Sequence, residues 1–96
     1  MQKSIDKYVE IICERSGCEK NDLLLKNGGY KISRIRNMIF YILHDCGFSN
    51  NQIAKYFNRT TRRIWYARAN IKYRIDHNIR EEVELYERLK KAVIHN

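Results

Sequence analysis

The chain has 96 residues and a net charge of +8, with 44% of its residues hydrophobic and 11% aromatic. That composition supports one small core, so a single folded domain over residues 1–96 is expected and a disordered chain is excluded. With no proline, only four glycines and no apolar run near the roughly 20 residues of a membrane span, the expected class is a soluble all-α bundle of five to six helices.

Taken in chain order, the first helix is predicted over Ile5 to Ser16. Ser4 stands as its N-cap and Gly17 as its stop, with Ile5, Val9, Ile12 and Cys13 on one face. In "NDLLLK", Asn21 or Asp22 is expected to cap a short turn that places Leu23 and Leu24 in the core. "NGGYK" reads as a loop, because Asn27, Gly28 and Gly29 tolerate positive φ. The next helix is predicted from about Ser33 to Asp45, its buried stripe formed by Ile35, Met38, Ile39, Ile42, Leu43 and Cys46. Gly47 should end it.

Ser49 then caps a short helix, and Gln52 completes a capping box. Ile53 and Phe57 are its apolar anchors, and Asn58 sits where a left-handed residue turns the chain. A longer helix follows, with Thr60 as its cap. Ile64, Ile71 and Ile75 fall on one line of this helix, and Arg62, Tyr66 and Tyr73 on the opposite line. Trp65 on its flank is expected as a half-buried packing residue rather than a stacking platform, with Tyr73 and Tyr86 also packing. A last helix, from about Asn78 to Val93, should bury Ile79, Val83, Tyr86, Leu89 and Val93.

Chemistry-bearing clusters are absent from this pattern. Cys13, Cys18 and Cys46 form no CxxC pair, and His44, His77 and His95 are scattered, so neither a metal nor another cofactor is expected. No phosphate-binding loop, nucleophile set or paired catalytic carboxylate is present, and nothing suggests an enzyme or a small-molecule substrate. "MQKSIDKYVE" carries acids within its first turns, unlike a signal peptide. The expected location is cytoplasmic, in association with the nucleoid.

The charge is unevenly placed. Residues 31–74 hold ten basic side chains and one acid, Asp45, a net +9, while the segments on either side are close to neutral. Such segregation points to a polyanion, with nucleic acid ahead of an anionic membrane surface. Within the basic stretch, a short helix, a turn of about three residues and a longer helix form a helix-turn-helix pattern. In that motif the second helix offers its first residues to the major groove: here Thr60, Thr61, Arg62 and Arg63, with Tyr66 one turn on. Arginine can hold guanine O6 and N7 together, and threonine can meet a base edge or the thymine methyl. Lys55 is placed to touch phosphate.

The segments "KISRIRNMIFYIL" and "FSNNQIAKYFNRTTRRIWYARANIK" resemble the C-terminal DNA-binding domain of the bacterial replication initiator DnaA. The resemblance runs from about Ile5 to Ile75, and includes "IDKYVEIICERSGCEKNDLLLK" against the family's opening helix and "DLL" segment. It implies a Trp-repressor-like helical bundle that binds double-stranded DNA. Arg34 matches the arginine that the family places in the minor groove, and Arg36 a second arginine nearby. Arg59 matches the arginine of the family's recognition signature. Thr60, Thr61 and Arg62 fall where that family reads bases with Asp, His and Thr; Arg63 falls on its second Thr and Ala67 on its closing Ala. Asn50 and Asn51 replace a Leu-Pro pair that touches DNA in the family.

The scaffold is therefore kept while the reading residues change, which implies a target other than the family's usual box. The chain shows no ATPase module. The resemblance points to replication control or transcription, with double-stranded DNA as partner. The sequence leaves the oligomeric state open, and a monomer suffices. Two rival readings stay open: a helical adaptor whose basic face docks an acidic protein, and an RNA-binding module.

Overall fold

The computed structural model describes residues 3–25 and 28–94. Six helices occur among them: α1 (Ile5–Ser16), α2 (Lys20–Leu24), α3 (Gly29–Asp45), α4 (Asn50–Phe57), α5 (Thr61–Asp76) and α6 (Arg80–Ile94). The fold is an all-α bundle organised around α3, which packs against each of the other five helices. Ile35, Met38, Ile39, Phe40, Ile42 and Leu43 are all buried on it. A helix with so wide an apolar surface has nowhere stable to sit except at the centre. Phe40 meets Phe57 of α4 edge to face, with ring centroids 4.9 Å apart, and so seats α4 against this axis.

The caps on α1, α4 and α5 act as their residues suggest. Ser4 accepts from the Lys7 amide, and Gly17 closes α1 at φ 70°. Ser49 and Gln52 exchange both bonds of a capping box. Thr60 Oγ1 accepts from the Arg63 amide. Asn58 adopts φ 54° and ψ 51°, and the next amide, of Arg59, donates back to Ala54 O at 2.9 Å. These local bonds fix the three-residue connection between α4 and α5.

Elsewhere the structure departs from expectation. Helix α3 begins at Gly29, not Ser33, so Gly28 (φ 137°) and Gly29 (φ 75°) form its entry; Asn27 lies outside the described residues. Neither Asn21 nor Asp22 caps α2: Glu19 occupies that position without a side-chain bond. Leu23 is fully buried, Leu24 only partly. Cys46 is likewise only partly buried. The last helix begins at Arg80, because Asn78 turns the chain at φ 54°. Its buried residues are Glu82, Leu85, Leu89, Ala92 and Val93, while Val83 and Tyr86 are partly covered. The helix is thus rotated by about one residue from the expected face.

Glu82 lies on this buried face. It is 4% exposed and holds two cations: Arg74 Nε donates to its Oε1 at 2.6 Å and Arg34 Nη2 to its Oε2 at 3.1 Å. Burial by itself would raise the carboxyl pKa, but the hydrogen bonds and charges of Arg74 and Arg34 outweigh it and hold the group below its ordinary value. A depressed carboxyl stabilises the fold above its unfolded pKa, and that contribution disappears as pH falls through the folded value. Glu82→Gln should therefore destabilise the protein at neutral pH, by about 3 kcal/mol if it behaves as other broken buried pairs do. The gap between variant and wild type, measured by urea unfolding, should narrow as pH drops below the usual glutamate range. A gap independent of pH would show that the charge of Glu82 is not what stabilises this corner.

Candidate nucleic-acid interface

The end of α2 determines how two of the predicted site arginines are used. A helix leaves its last carbonyls without intrahelical donors. Here Arg36 Nε donates to Leu23 O at 2.7 Å, and its Nη2 to Asp22 O at 3.0 Å and Leu25 O at 2.6 Å. Arg59 adds bonds to Leu24 O at 3.3 Å, Leu25 O at 3.0 Å and Phe57 O at 2.6 Å. Arg36 is only 5% exposed. Its guanidinium serves the scaffold, and Arg59 ties α2 to the turn that starts α5.

These two cations lie close to a third. Burial first, and then repulsion from Arg59 and Arg63, push the pKa of Arg36 below its ordinary value. The three guanidinium groups border an open hollow of about 460 Å³ beside the α4–α5 turn, with Asn58 and Thr60 on its wall. Arg63 also lines a second hollow of about 330 Å³, with Asn37, Tyr66, Ala67 and Asn70. Asn37 and Asn70 continue into a third, of about 290 Å³, which reaches Arg34, Tyr30 and Arg74. One flank of α5 therefore carries a continuous basic and amide-lined groove. The acid among its lining residues is Glu82, at the far end and already held by two arginines.

The front of α5 is open. Thr60, Thr61, Arg62 and Arg63 are all exposed. Arg62 lies over the Tyr66 ring, 5.6 Å from its centroid, with Nη2 3.4 Å from the hydroxyl. No acid precedes Asp76 on this helix, so its positive N-terminal end is not neutralised from within.

The remaining predicted residues are more dispersed. Arg34 sits in the second turn of α3, 28% exposed, paired with Glu82 and lying 5.8 Å from the Tyr30 ring centroid. Asn51 and Lys55 are exposed on α4. Asn50 faces the other flank of α5, where its Oδ1 accepts from Arg68 Nη1 at 2.8 Å. Asn37, Asn70 and Arg74 line the groove but were not anticipated. Asn37 follows Arg34 by one turn and Asn70 follows Arg63 by two, so each shares a face with a predicted arginine, but only the packing of α3 on α5 brings those faces together. Among the described residues no group of histidines, cysteines and acids could hold a metal ion, and no helix is long and apolar enough to cross a membrane.

The division between scaffold and surface arginines is measurable. Arg36→Met strips donors from the α2 carbonyls and should cost about 3 kcal/mol of stability. Arg63→Ala, on an exposed side chain, should stay within about 0.5 kcal/mol of wild type. Thermal or urea unfolding decides between them; equal losses would contradict the division.

Neither a protein-family model nor a curated protein sequence matches the chain, so the reading of this face rests on its geometry and on the motif resemblance.

Proposed function

We propose that the protein binds double-stranded DNA, with α5 seated in the major groove and the basic flank of α5 against one strand. The observation that carries this reading is the exposed, acid-free start of α5, continuous with the groove through Arg63, Asn37 and Asn70. The major groove is about 12 Å wide and admits one helix. Thr60, Thr61, Arg62 and Arg63 would face base edges, with Arg62 best placed to take guanine. Phosphate contacts would come from the flanks and from Lys55, fixing register without reading sequence. On this reading the protein is a binding module without catalytic or ATPase activity. It acts on the chromosome, and the resemblance in its motifs points to replication control or transcription.

The same geometry sets the expected salt dependence. Of the ten basic residues in 31–74, Arg36 and Arg59 hold α2 carbonyls and Arg34 and Arg74 hold Glu82. That leaves six: Lys31, Lys55, Arg62, Arg63, Arg68 and Lys72. With Arg62 and Arg63 at base edges, the other four are left for phosphate, and log K should fall against log salt with a slope of about −4. A slope near zero would contradict the reading, as would failure of mixed-sequence duplex to displace an acidic protein partner. Selection from a random duplex library separates reading from positioning. Arg62→Ala should relax one or two positions of the selected site, a loss of roughly 1–3 kcal/mol in discrimination, whereas Lys55→Ala should weaken all sequences alike. An unchanged motif with Arg62→Ala would show that α5 is oriented differently.

A further inference from the structure

Trp65, expected as a half-buried packing residue, leaves just over half of its surface open. It is 54% exposed, and it is the single tryptophan of the chain. Its ring meets Tyr66 edge-on, with centroids 5.2 Å apart and rings at 80°. Beside it lies a hollow of about 220 Å³ lined by Tyr41, Trp65, Arg68, Ala69 and Lys72. At about 100° per residue, Trp65, Arg68 and Lys72 share one stripe of α5, well around the helix from Arg63, Asn70 and Arg74. The hollow is thus a different flank from the basic groove. Ala69 keeps it open, since a longer side chain there would project into it.

The cations of this hollow are available to an anion. Arg68 is oriented by the neutral amide oxygen of Asn50 at 2.8 Å, and its Nε is sealed from solvent without a hydrogen-bond partner among the described residues. Lys72 pairs with Asp76 at 2.7 Å, but both side chains are more than half exposed; such a pair is weak and yields to a stronger anion. The nearby acid Asp45 is occupied by Tyr86 Oη at 2.8 Å and Lys90 at 3.5 Å. Along the helix, Arg68 lies about 4.5 Å and Lys72 about 10 Å beyond Trp65, at 1.5 Å of rise per residue. A flat aromatic face followed by two cations matches a nucleotide whose base stacks and whose phosphates follow. Paired bases in a duplex hide their faces; only unpaired ones can stack on a side chain.

We propose that the Trp65–Arg68–Lys72 hollow is a second nucleic-acid site, which takes an unpaired nucleotide of single-stranded DNA with its base on the indole and its phosphates on the two cations. The site goes beyond the duplex reading: it lies on the flank of α5 away from the basic groove, and it adds the indole to two cations that the duplex reading gives only to backbone phosphate. Together the two sites would let the protein sit where duplex meets opened strand.

The lone tryptophan makes the test direct. The full chain is titrated with an oligothymidylate of about 16 nucleotides, near the upper site size of single-strand binding folds, while Trp65 emission is followed. Single-strand and duplex binding are both followed in parallel by anisotropy of a labelled single strand and a labelled duplex, so that variants without the indole are read in the same way. The expected result is saturable quenching by the single strand that salt reverses. Trp65→Ala should weaken single-strand binding by roughly 5- to 100-fold, the range of one base–aromatic stack, and leave duplex binding within about two-fold. Trp65→Phe should retain most of the single-strand affinity. No quenching and no single-strand binding, with duplex binding intact, would overturn this inference alone. Single-strand binding that Trp65→Ala leaves unchanged would place the strand elsewhere and overturn it too. Equal loss of both ligands in Trp65→Ala would make Trp65 part of the duplex face. Loss of both in the wild type would remove the duplex reading as well.

Discussion

Four consecutive carbonyls at the end of α2, those of Asp22, Leu23, Leu24 and Leu25, determine how the basic middle of the chain is arranged. They accept from Arg36 on α3 and Arg59 in the α4–α5 turn. Unbonded in a covered position, each carbonyl would cost about 1–3 kcal/mol, so the arrangement favours one placement of α2 against the other elements. Because Arg59 immediately precedes the cap of α5, the same bonds anchor the start of that helix. A preorganised helix start loses less conformational freedom when it meets a ligand. Stability and the proposed recognition are thus coupled through one five-residue helix with no apparent chemistry of its own.

A second cluster works at the opposite end of the groove. Glu82 draws Arg34 and Arg74 together beneath α6, which cancels part of the local positive charge and fixes the mutual placement of α3, α5 and α6. Arg34 remains partly open and keeps a face toward Tyr30, so it still borders the groove, although as a held group and not a free one. Among the basic residues of 31–74, those without buried partners lie on α5, on α4 and, with Lys31, at the start of α3. Much of this charge lies along the exposed surface of α5, which is the distribution a helix entering a groove between two phosphate strands needs.

Much of the fold was legible because its signals are local. Ser4 and Gly17 bound α1, Ser49 and Gln52 start α4, and Asn58 and Thr60 make the turn into α5; each acts through atoms within a few residues. Some helix starts, at Gly29, Glu19 and Asn78, were misread locally, but the misplaced buried charges depend on distant partners. Arg36 is buried because carbonyls 11 to 14 residues away accept from it, and periodicity alone puts an arginine outside. Glu82 is tolerated in the interior because Arg34, 48 positions earlier, meets it. Of the candidate site, the run from Thr60 to Arg63 with Tyr66 was readable as an exposed helix start. The groove residues Asn37, Asn70 and Arg74 needed the packing of α3 on α5 to be known. Trp65 was expected to be half-buried, and it is close to that, but the open side of its indole beside Arg68 and Lys72 needed the packing of α3 on α5 to be known.

The central claim is that the front of α5 and its basic flank form one DNA-binding face. The most direct measurement is amide and side-chain chemical-shift mapping of isotope-labelled protein titrated with a duplex obtained by selection. The account predicts perturbations centred on Thr60 to Arg63 and Tyr66, extending to the side-chain amides of Asn37 and Asn70, while the outer faces of α1 and α6 stay unchanged. Perturbations confined to α1 and α6, with the start of α5 silent, would contradict it.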